Sequence, residues 1–245
     1  SSHQHQQKLV YGKSLVFKDY APMIFRSLRT RFGISEQEYA MSLGIEQVLG
    51  NLLVGRLSTL TEKMTDGKSG NFFFYSPNGQ YLCKTISAGE LETFLRILPK
   101  YYNHMCRYSA DTLLTRYYGL HCLNDTIFVV MANVFQTSHQ MDCIFDLKGS
   151  TIGRSAFQSA DQCIKANSET LKSKVLKDLD WMALEKKLTL GDMSGKFLHQ
   201  LTLDTKLLEE CDIIDYSLLV GMRKLNASEV QRQQSNAFQQ QDNSK

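Results

Sequence analysis

Asn71-Phe72-Phe73-Phe74-Tyr75, the reversal Ser76-Pro77-Asn78-Gly79-Gln80 and Tyr81-Leu82-Cys83-Lys84-Thr85-Ile86 form the stretch that decides the fold. Aromatic and β-branched residues fill both arms, as strands prefer, and Asn-Gly supplies turn residues that accept positive φ, so the stretch predicts a β-hairpin. Asp66-Gly67-Lys68-Ser69-Gly70 predicts a turn leading into it. Working outward, Glu90 to His104 predicts a helix, interrupted or bent near Pro99. Arg116 to His121 and Thr126 to Met131 predict two strands around Asn124-Asp125, and Cys143 to Leu147 a third that ends in Lys148-Gly149-Ser150. Upstream, Ser35-Glu36-Gln37-Glu38 has the form of a capped helix start, and Tyr39, Leu43, Ile45, Val48, Leu49, Leu52 and Leu53 keep a helical beat after it.

Downstream, Gln158 to Leu190 is polar and mixed in charge, which predicts a loop-rich insert with little core. Met193 to Ile213 predicts a helix with Met193, Phe197, Leu201, Leu208 and Cys211 near one face, and Tyr216 to Met222 an apolar strand. Asn226 to Lys245, rich in Gln, Asn and Ser, predicts a disordered polar tail. Strands gather before the middle and helix after it, so the fold class expected is α+β, with a cleft between two lobes.

With 245 residues, 42% of them hydrophobic, the chain can bury a real core, and its 3 Pro and 15 Gly exclude a collagen-like or wholly disordered protein. A formal net charge of +3 is too mild to point to nucleic acid. The six cysteines form no CxxC pair and the six histidines no HExxH spacing, so neither a disulfide framework nor a zinc site is expected. Thr126 to Met141 is the nearest approach to a membrane span and is too short and too polar. The class expected is a soluble intracellular protein.

Four groups of residues can carry chemistry, and each has a plain structural alternative. Gly67-Lys68-Ser69-Gly70 can bring backbone N–H groups close to a phosphate, or be only a hairpin turn. Lys84 in mid-strand either points to solvent or holds ATP phosphates behind such a loop, with Glu90 or Glu92 as its partner. Asp146-Leu147-Lys148-Gly149-Ser150-Thr151, with Arg154 nearby, suits a phosphate-bearing substrate or metal-bound phosphates, or is a strand-ending turn with a surface ion pair. Asp215, between a helix and an apolar strand, either accepts a proton from an attacking hydroxyl or orients the backbone of its turn.

Taken together and in order, these runs resemble the phosphatidylinositol phosphate kinases. The resemblance is carried by Gly67-Lys68-Ser69-Gly70-Asn71-Phe72-Phe73, Cys83-Lys84-Thr85, Leu98-Pro99-Lys100-Tyr101-Tyr102 and Tyr118-Gly119-Leu120. It continues through Val130-Met131-Ala132-Asn133-Val134-Phe135, Phe145-Asp146-Leu147-Lys148-Gly149-Ser150 and Ile214-Asp215-Tyr216-Ser217-Leu218-Leu219-Val220-Gly221. It covers roughly Phe17 to Met222, and Leu98 to His104 with Leu176-Lys177-Asp178-Leu179-Asp180 look more like type I enzymes than type II.

The resemblance implies a two-lobed, kinase-like α+β fold with ATP and Mg2+ in the cleft and Lys84 and Asp215 on opposite sides of it. The substrate implied is a phosphoinositide at the cytosolic face of a membrane, most simply phosphatidylinositol 4-phosphate converted to the 4,5-bisphosphate. By motif, Gly67, Ser69 and Gly70 would cover the ATP phosphates, Lys84 would hold them, and Met131, Asn133 and Val134 would form the hinge beside adenine. Asp146, Lys148 and Ser150 would meet the head group or the transferred phosphoryl, Arg154 a lipid phosphate, and Asp215 the reacting inositol hydroxyl. The resemblance leaves a dimer open and implies domains at 1–16 (extension), 17–225 (catalytic) and 226–245 (tail). Lys8, Lys13, Lys18, Arg26, Arg29 and Arg31 either add to a lipid-facing patch or form a solvated face.

One departure stands out. Family members continue past the Asp-Tyr-Ser-Leu-Leu strand to an Ile-Ile-Asp element that binds magnesium and to an activation loop, whereas here Gly221 leads into the polar tail. The expectation is therefore a truncated kinase domain, weak or inactive by itself, or else a non-catalytic phosphoinositide- or nucleotide-binding module. An unrelated adaptor would not carry this many runs in this order.

Overall fold

The computed structural model describes residues 4–10, 13–43, 73–76, 78–136 and 140–226. Its contacts divide the chain into two units, Ser1–Gln136 with Lys187–Tyr216 and Thr137–Lys186 with Ser217–Lys245. The expected mixture of helix with antiparallel sheet is what is found.

The first unit is built on strands β1 (Gln4–Val10), β2 (Lys13–Asp19), β3 (Phe73–Tyr75), β4 (Tyr81–Ile86), β5 (Tyr117–Leu123) and β6 (Thr126–Ala132). They form one sheet in the order β1-β2-β5-β6-β4-β3, with every pair antiparallel. The hairpin at 73–86 forms as predicted, with Phe73 opposite Lys84 and Tyr75 opposite Leu82. Its turn differs in detail: positive φ falls on Gly79 (69°) and not on Asn78. Asn78 serves through its side chain, which accepts from Ser76 Oγ (2.7 Å) and from the Gln80 N–H (3.2 Å). The β1–β2 hairpin was not foreseen, because its residues are too polar to read as a strand pair.

Strand alternation gives this sheet two apolar faces. Phe128 and Val130 of β6 face a cluster with Tyr81, Cys83, Tyr118 and Leu123, covered by Tyr39 and Leu43 of α2 (Glu36–Leu43). Val129, between them, faces the other side, where α1 (Pro22–Arg31) contributes Phe25 and Leu28 and α3 (Ala88–Tyr108) contributes Leu98, Tyr101 and Met105. Helix α2 starts as predicted, with Ser35 Oγ accepting from the Glu38 N–H (3.1 Å) and Glu38 Oε2 accepting from the Ser35 N–H (3.0 Å). The expected continuation of its apolar beat beyond Leu43 lies outside the described residues. Helix α3 runs through Pro99 without interruption.

The helix predicted at 193–213 is α7 (Ser194–Glu210), with Cys211 buried and Phe197, Leu201 and Leu208 half-buried on the expected face, although its most buried positions differ in part. Met193 is 58% exposed, while Gln200 and Asp204 join Leu207 inside. Asp204 is admitted because four donors meet its carboxylate: His104 Nε2 (2.6 Å), Thr112 Oγ1 (2.8 Å), the Leu113 N–H (2.7 Å) and Gln200 Nε2 (2.8 Å).

The second unit corrects another expectation. The segment 158–190 is not a loop-rich insert: it holds α4 (Ala160–Lys165), α5 (Ser168–Lys172), β8 (Val175–Leu176) and α6 (Asp178–Ala183). Central strand β7 (Cys143–Leu147) pairs in parallel with β8 and antiparallel with β9 (Leu218–Met222). Phe145, Leu176 and Cys143 form a core against which Phe157, Leu171, Trp181 and Leu184 pack, with the Trp181 ring edge-on to Phe145 at 4.9 Å. Cys163, Leu171, Leu176, Trp181 and Leu184 of this polar stretch turn inward, which composition alone conceals.

Candidate active site

Lys84 sits at the middle of β4, paired across the sheet with Val129 of β6, while Leu82 pairs with Met131. Residues two apart on a strand share a face, so Lys84, Leu82, Val129 and Met131 lie on the α3 side of the sheet. Lys84 Nζ is 3.4 Å from Glu90 Oε1, the partner that the sequence left open between Glu90 and Glu92. Glu90 has two tasks: its Oε2 accepts from the Ser87 N–H (2.7 Å) while the Glu90 N–H donates to Ser87 Oγ (3.2 Å), a capping box that starts α3. Burial pushes the Glu90 carboxyl up, but the bonds from Ser87 and the Lys84 charge outweigh it and hold the group below its usual value. One carboxylate thus ties the strand lysine to a helix N-terminus.

At the end of β6, Asn133 is fastened to the 79–80 turn: its N–H donates to Gln80 O (3.0 Å), its Nδ2 to Gly79 O (2.8 Å), and its Oδ1 accepts from the Phe135 N–H (3.0 Å). Val134 beside it is 60% exposed. Gly67, Ser69 and Gly70 lie outside the described residues. Asp215 stands exposed in the loop between α7 and β9 with φ of 62°, a left-handed conformation costly for a residue other than glycine.

In the second unit, Asp146 is the fourth residue of β7, and Lys148, Gly149 and Ser150 follow its end. Asp178, at the start of α6, organises this loop. Its Oδ1 accepts from the N–H groups of Lys148 (3.0 Å) and Gly149 (2.8 Å), and its Oδ2 accepts from Arg154 Nε (2.8 Å). Arg154 NH2 in turn donates to the Asp146 carbonyl and lies 3.6 Å from Asp146 Oδ2. The Arg154 side chain is only 12% exposed, so its guanidinium braces the loop from within. Burial raises the Asp178 carboxyl, but Arg154 and the two N–H groups prevail and keep it below the ordinary range. Asp180 grips the far end of the loop, accepting from Ser155 Oγ (2.7 Å) and the Ala156 N–H (2.8 Å). The sequence marked 176–180 only as a resemblance; an acidic pair two residues apart at a short helix start was the signal for its role.

Among the described residues no group of three His, Cys, Asp or Glu could hold a metal ion. Asp146 Oδ1, however, is a buried oxygen without a hydrogen-bond partner, a hard donor of the type Mg2+ takes alongside phosphate oxygens. A cavity of about 340 Å3 lies elsewhere, among β2, β5, α1 and α2, and neither Lys84, Glu90, Asn133 and Val134 nor Asp146, Lys148, Arg154 and Asp178 line it. Its polar wall is already satisfied internally: Arg29 holds both Glu36 oxygens at 2.8 Å, and His121 bridges Asp19 and Tyr39. Arg29, one of the basic residues offered for a lipid-facing patch, is 6% exposed and belongs to this interior network instead.

These motifs belong to a known set. A family model described as Phosphatidylinositol-4-phosphate 5-Kinase matches residues 54–245. The chain belongs to this family. The phosphatidylinositol 4-phosphate 5-kinase of Plasmodium falciparum is 36% identical over 219 residues, 85% of this chain and 12% of that protein. Phosphatidylinositol 4-phosphate 5-kinase 6 of Arabidopsis thaliana is 37% identical over 216 residues, 84% of this chain and 27% of its own length. A probable phosphatidylinositol phosphate kinase of Dictyostelium discoideum is 37% identical over 212 residues. The chain thus spans between about an eighth and about a quarter of the length of these family relatives.

Proposed function

We propose that this chain transfers the γ-phosphoryl group of ATP to phosphatidylinositol 4-phosphate at the cytosolic face of a membrane, yielding the 4,5-bisphosphate, with 17–225 as the catalytic domain. Family membership supports the reaction class. The observation that carries it to this chain is the Lys84–Glu90 pair, a mid-strand cation held by a glutamate from the next helix, on the same sheet face as Met131. Protein kinases use such a pair to hold nucleotide phosphates.

In the scheme, Lys84 neutralises the ATP phosphates while Gly67, Ser69 and Gly70 cover them, and adenine sits against Met131, Asn133 and Val134. Lys148 and Ser150 receive the head group, and Arg154 acts through its brace on the loop. Asp215 takes the proton of the inositol hydroxyl as the new O–P bond forms, the bond from Pγ to the bridging oxygen breaks and ADP leaves. Mg2+ would supply charge neutralisation between the phosphates, with Asp146 Oδ1 the described oxygen best suited to face it. The protein's share of the barrier is alignment and charge, which a fixed lysine and a braced loop provide.

The test is transfer of labelled phosphate from ATP to vesicles holding phosphatidylinositol 4-phosphate, with the 3- and 5-phosphates as comparison. Turnover that falls at least about 100-fold in Lys84→Met, with folding intact, supports the scheme. Lipid binding without turnover by the wild-type chain supports the binding module instead, and turnover unchanged in Lys84→Met removes the lysine from the mechanism.

A further inference from the structure

Ile152 is 91% exposed, the most exposed large apolar side chain among the described residues. A single exposed apolar residue needs no explanation. This one stands at the tip of a loop that is held rather than loose. Gly149 and Gly153 flank it with φ of 70° and 67°, and a Cβ on either would meet nothing within 4 Å, so the glycines serve backbone direction and not close packing. Behind the tip, Asp178 binds the N–H groups of Lys148 and Gly149 and the Arg154 side chain, while Asp180 binds Ser155 and Ala156. The Leu179 N–H donates to Arg154 O (2.9 Å), which sets the start of α6 directly against the loop. Leu179 and Met182, one turn apart on α6, are 37% and 64% exposed. Three large apolar side chains therefore crop out on two elements locked together, with the cationic Lys148 in the same loop.

We propose that Ile152, with Leu179 and Met182 beside it, is an interfacial anchor that enters the bilayer when Lys148 and Ser150 meet a lipid head group. The proposal rests on the reading of this loop as the head-group site. The occupant follows from that reading, because a phosphoinositide is presented by a bilayer. Ile152 lies four positions after Lys148, at most about 14 Å of extended chain, which spans from head-group phosphate to the acyl boundary. Burying an isoleucine in hydrocarbon is favourable, and a cation beside it suits an anionic leaflet. The Asp178–Arg154 brace means that little loop entropy is lost on insertion.

The experiment uses the full chain with Ile152→Ala, Ile152→Asp and Ile152→Trp. Partition is measured by co-sedimentation with phosphatidylcholine vesicles carrying phosphatidylserine and phosphatidylinositol 4-phosphate. Turnover is measured on the same vesicles and on a water-soluble dibutanoyl phosphatidylinositol 4-phosphate, and Trp181 emission reports folding of the unit. Partition roughly tenfold weaker in Ile152→Asp, at least as strong in Ile152→Trp with blue-shifted emission on vesicles, and equal turnover of the soluble substrate supports the anchor. Partition unchanged in Ile152→Asp overturns it. An equal loss on soluble and vesicle substrate also overturns it, since the residue then acts on the site. If neither substrate is phosphorylated, the kinase reading fails alone, and the partition ratio still decides the anchor.

Discussion

Removing the Asp178 carboxylate is the sharpest test of how the candidate head-group loop is held. Three donors converge on it, at 3.0, 2.8 and 2.8 Å, and one is a guanidinium that is 12% exposed. Breaking a fully buried ion pair costs about 3–5 kcal/mol. Here the freed Arg154 keeps the Asp146 carbonyl and a carboxylate oxygen 3.6 Å away, and the Gly149 N–H can turn to water. Asp178→Ala should therefore destabilise the unit by about 2–3 kcal/mol, and Asp178→Asn, which keeps one acceptor, by about 1–2 kcal/mol. The chain has a single tryptophan, Trp181, packed on Phe145 in the same unit, so urea unfolding followed by its emission reads this unit directly. The pH dependence has a defined sign. The folded carboxyl titrates below its ordinary value of 3.8, so its stabilisation is complete above that pH and is lost as the pH falls through the lower, folded value. The gap between wild type and Asp178→Asn should be flat at neutral pH and close in acid. Asp178→Ala within about 0.5 kcal/mol of wild type at pH 7, or a gap that persists unchanged at acid pH where wild type still folds, would refute the brace.

Asp204→Ala strands four donors in the interior between α3 and α7 and should cost about 3–4 kcal/mol by calorimetry, with loss below about 1 kcal/mol showing that the donors re-pair. Gly119→Ala drives a Cβ into Tyr39 Oη and His121 Nε2, so a melting temperature lower by several degrees is expected, and an unchanged one would mean that the Tyr39–His121 contact yields freely. Burial pushes the Cys83 thiol up to about 12 at zero exposure, so a thiol reagent at pH 8 should label half-buried Cys106 first and reach Cys83 only on unfolding, as peptide mapping would show.

What the sequence disclosed follows the range of the interactions involved. The 73–86 hairpin was legible because its alternation and turn are local, whereas the partner of Lys84 stayed open between Glu90 and Glu92 until the Ser87–Glu90 capping box fixed which glutamate faces the strand. The buried face of α7 was legible only in part, because Asp204 is held inside by donors from His104, Thr112 and Leu113, 91 to 100 residues earlier, and Gln200 by Asp204. Asp178 was missed for the same reason, since its partners lie 24 to 30 residues upstream and its own helix is only six residues long. The β1–β2 pair escaped because an edge hairpin is specified by backbone pairing more than by apolar content.

Strand β7 waits for β9. Its two neighbours come from either side of the 187–216 segment, which belongs to the other unit, so each unit is discontinuous along the chain. During synthesis the three-stranded sheet stays open until residue 222 has left the ribosome, with the residues of α7 already emerged and seeking partners near α3. Neither unit can be cut out as one contiguous fragment. Dissecting them requires a circularly permuted gene, or a short linker replacing the intervening segment.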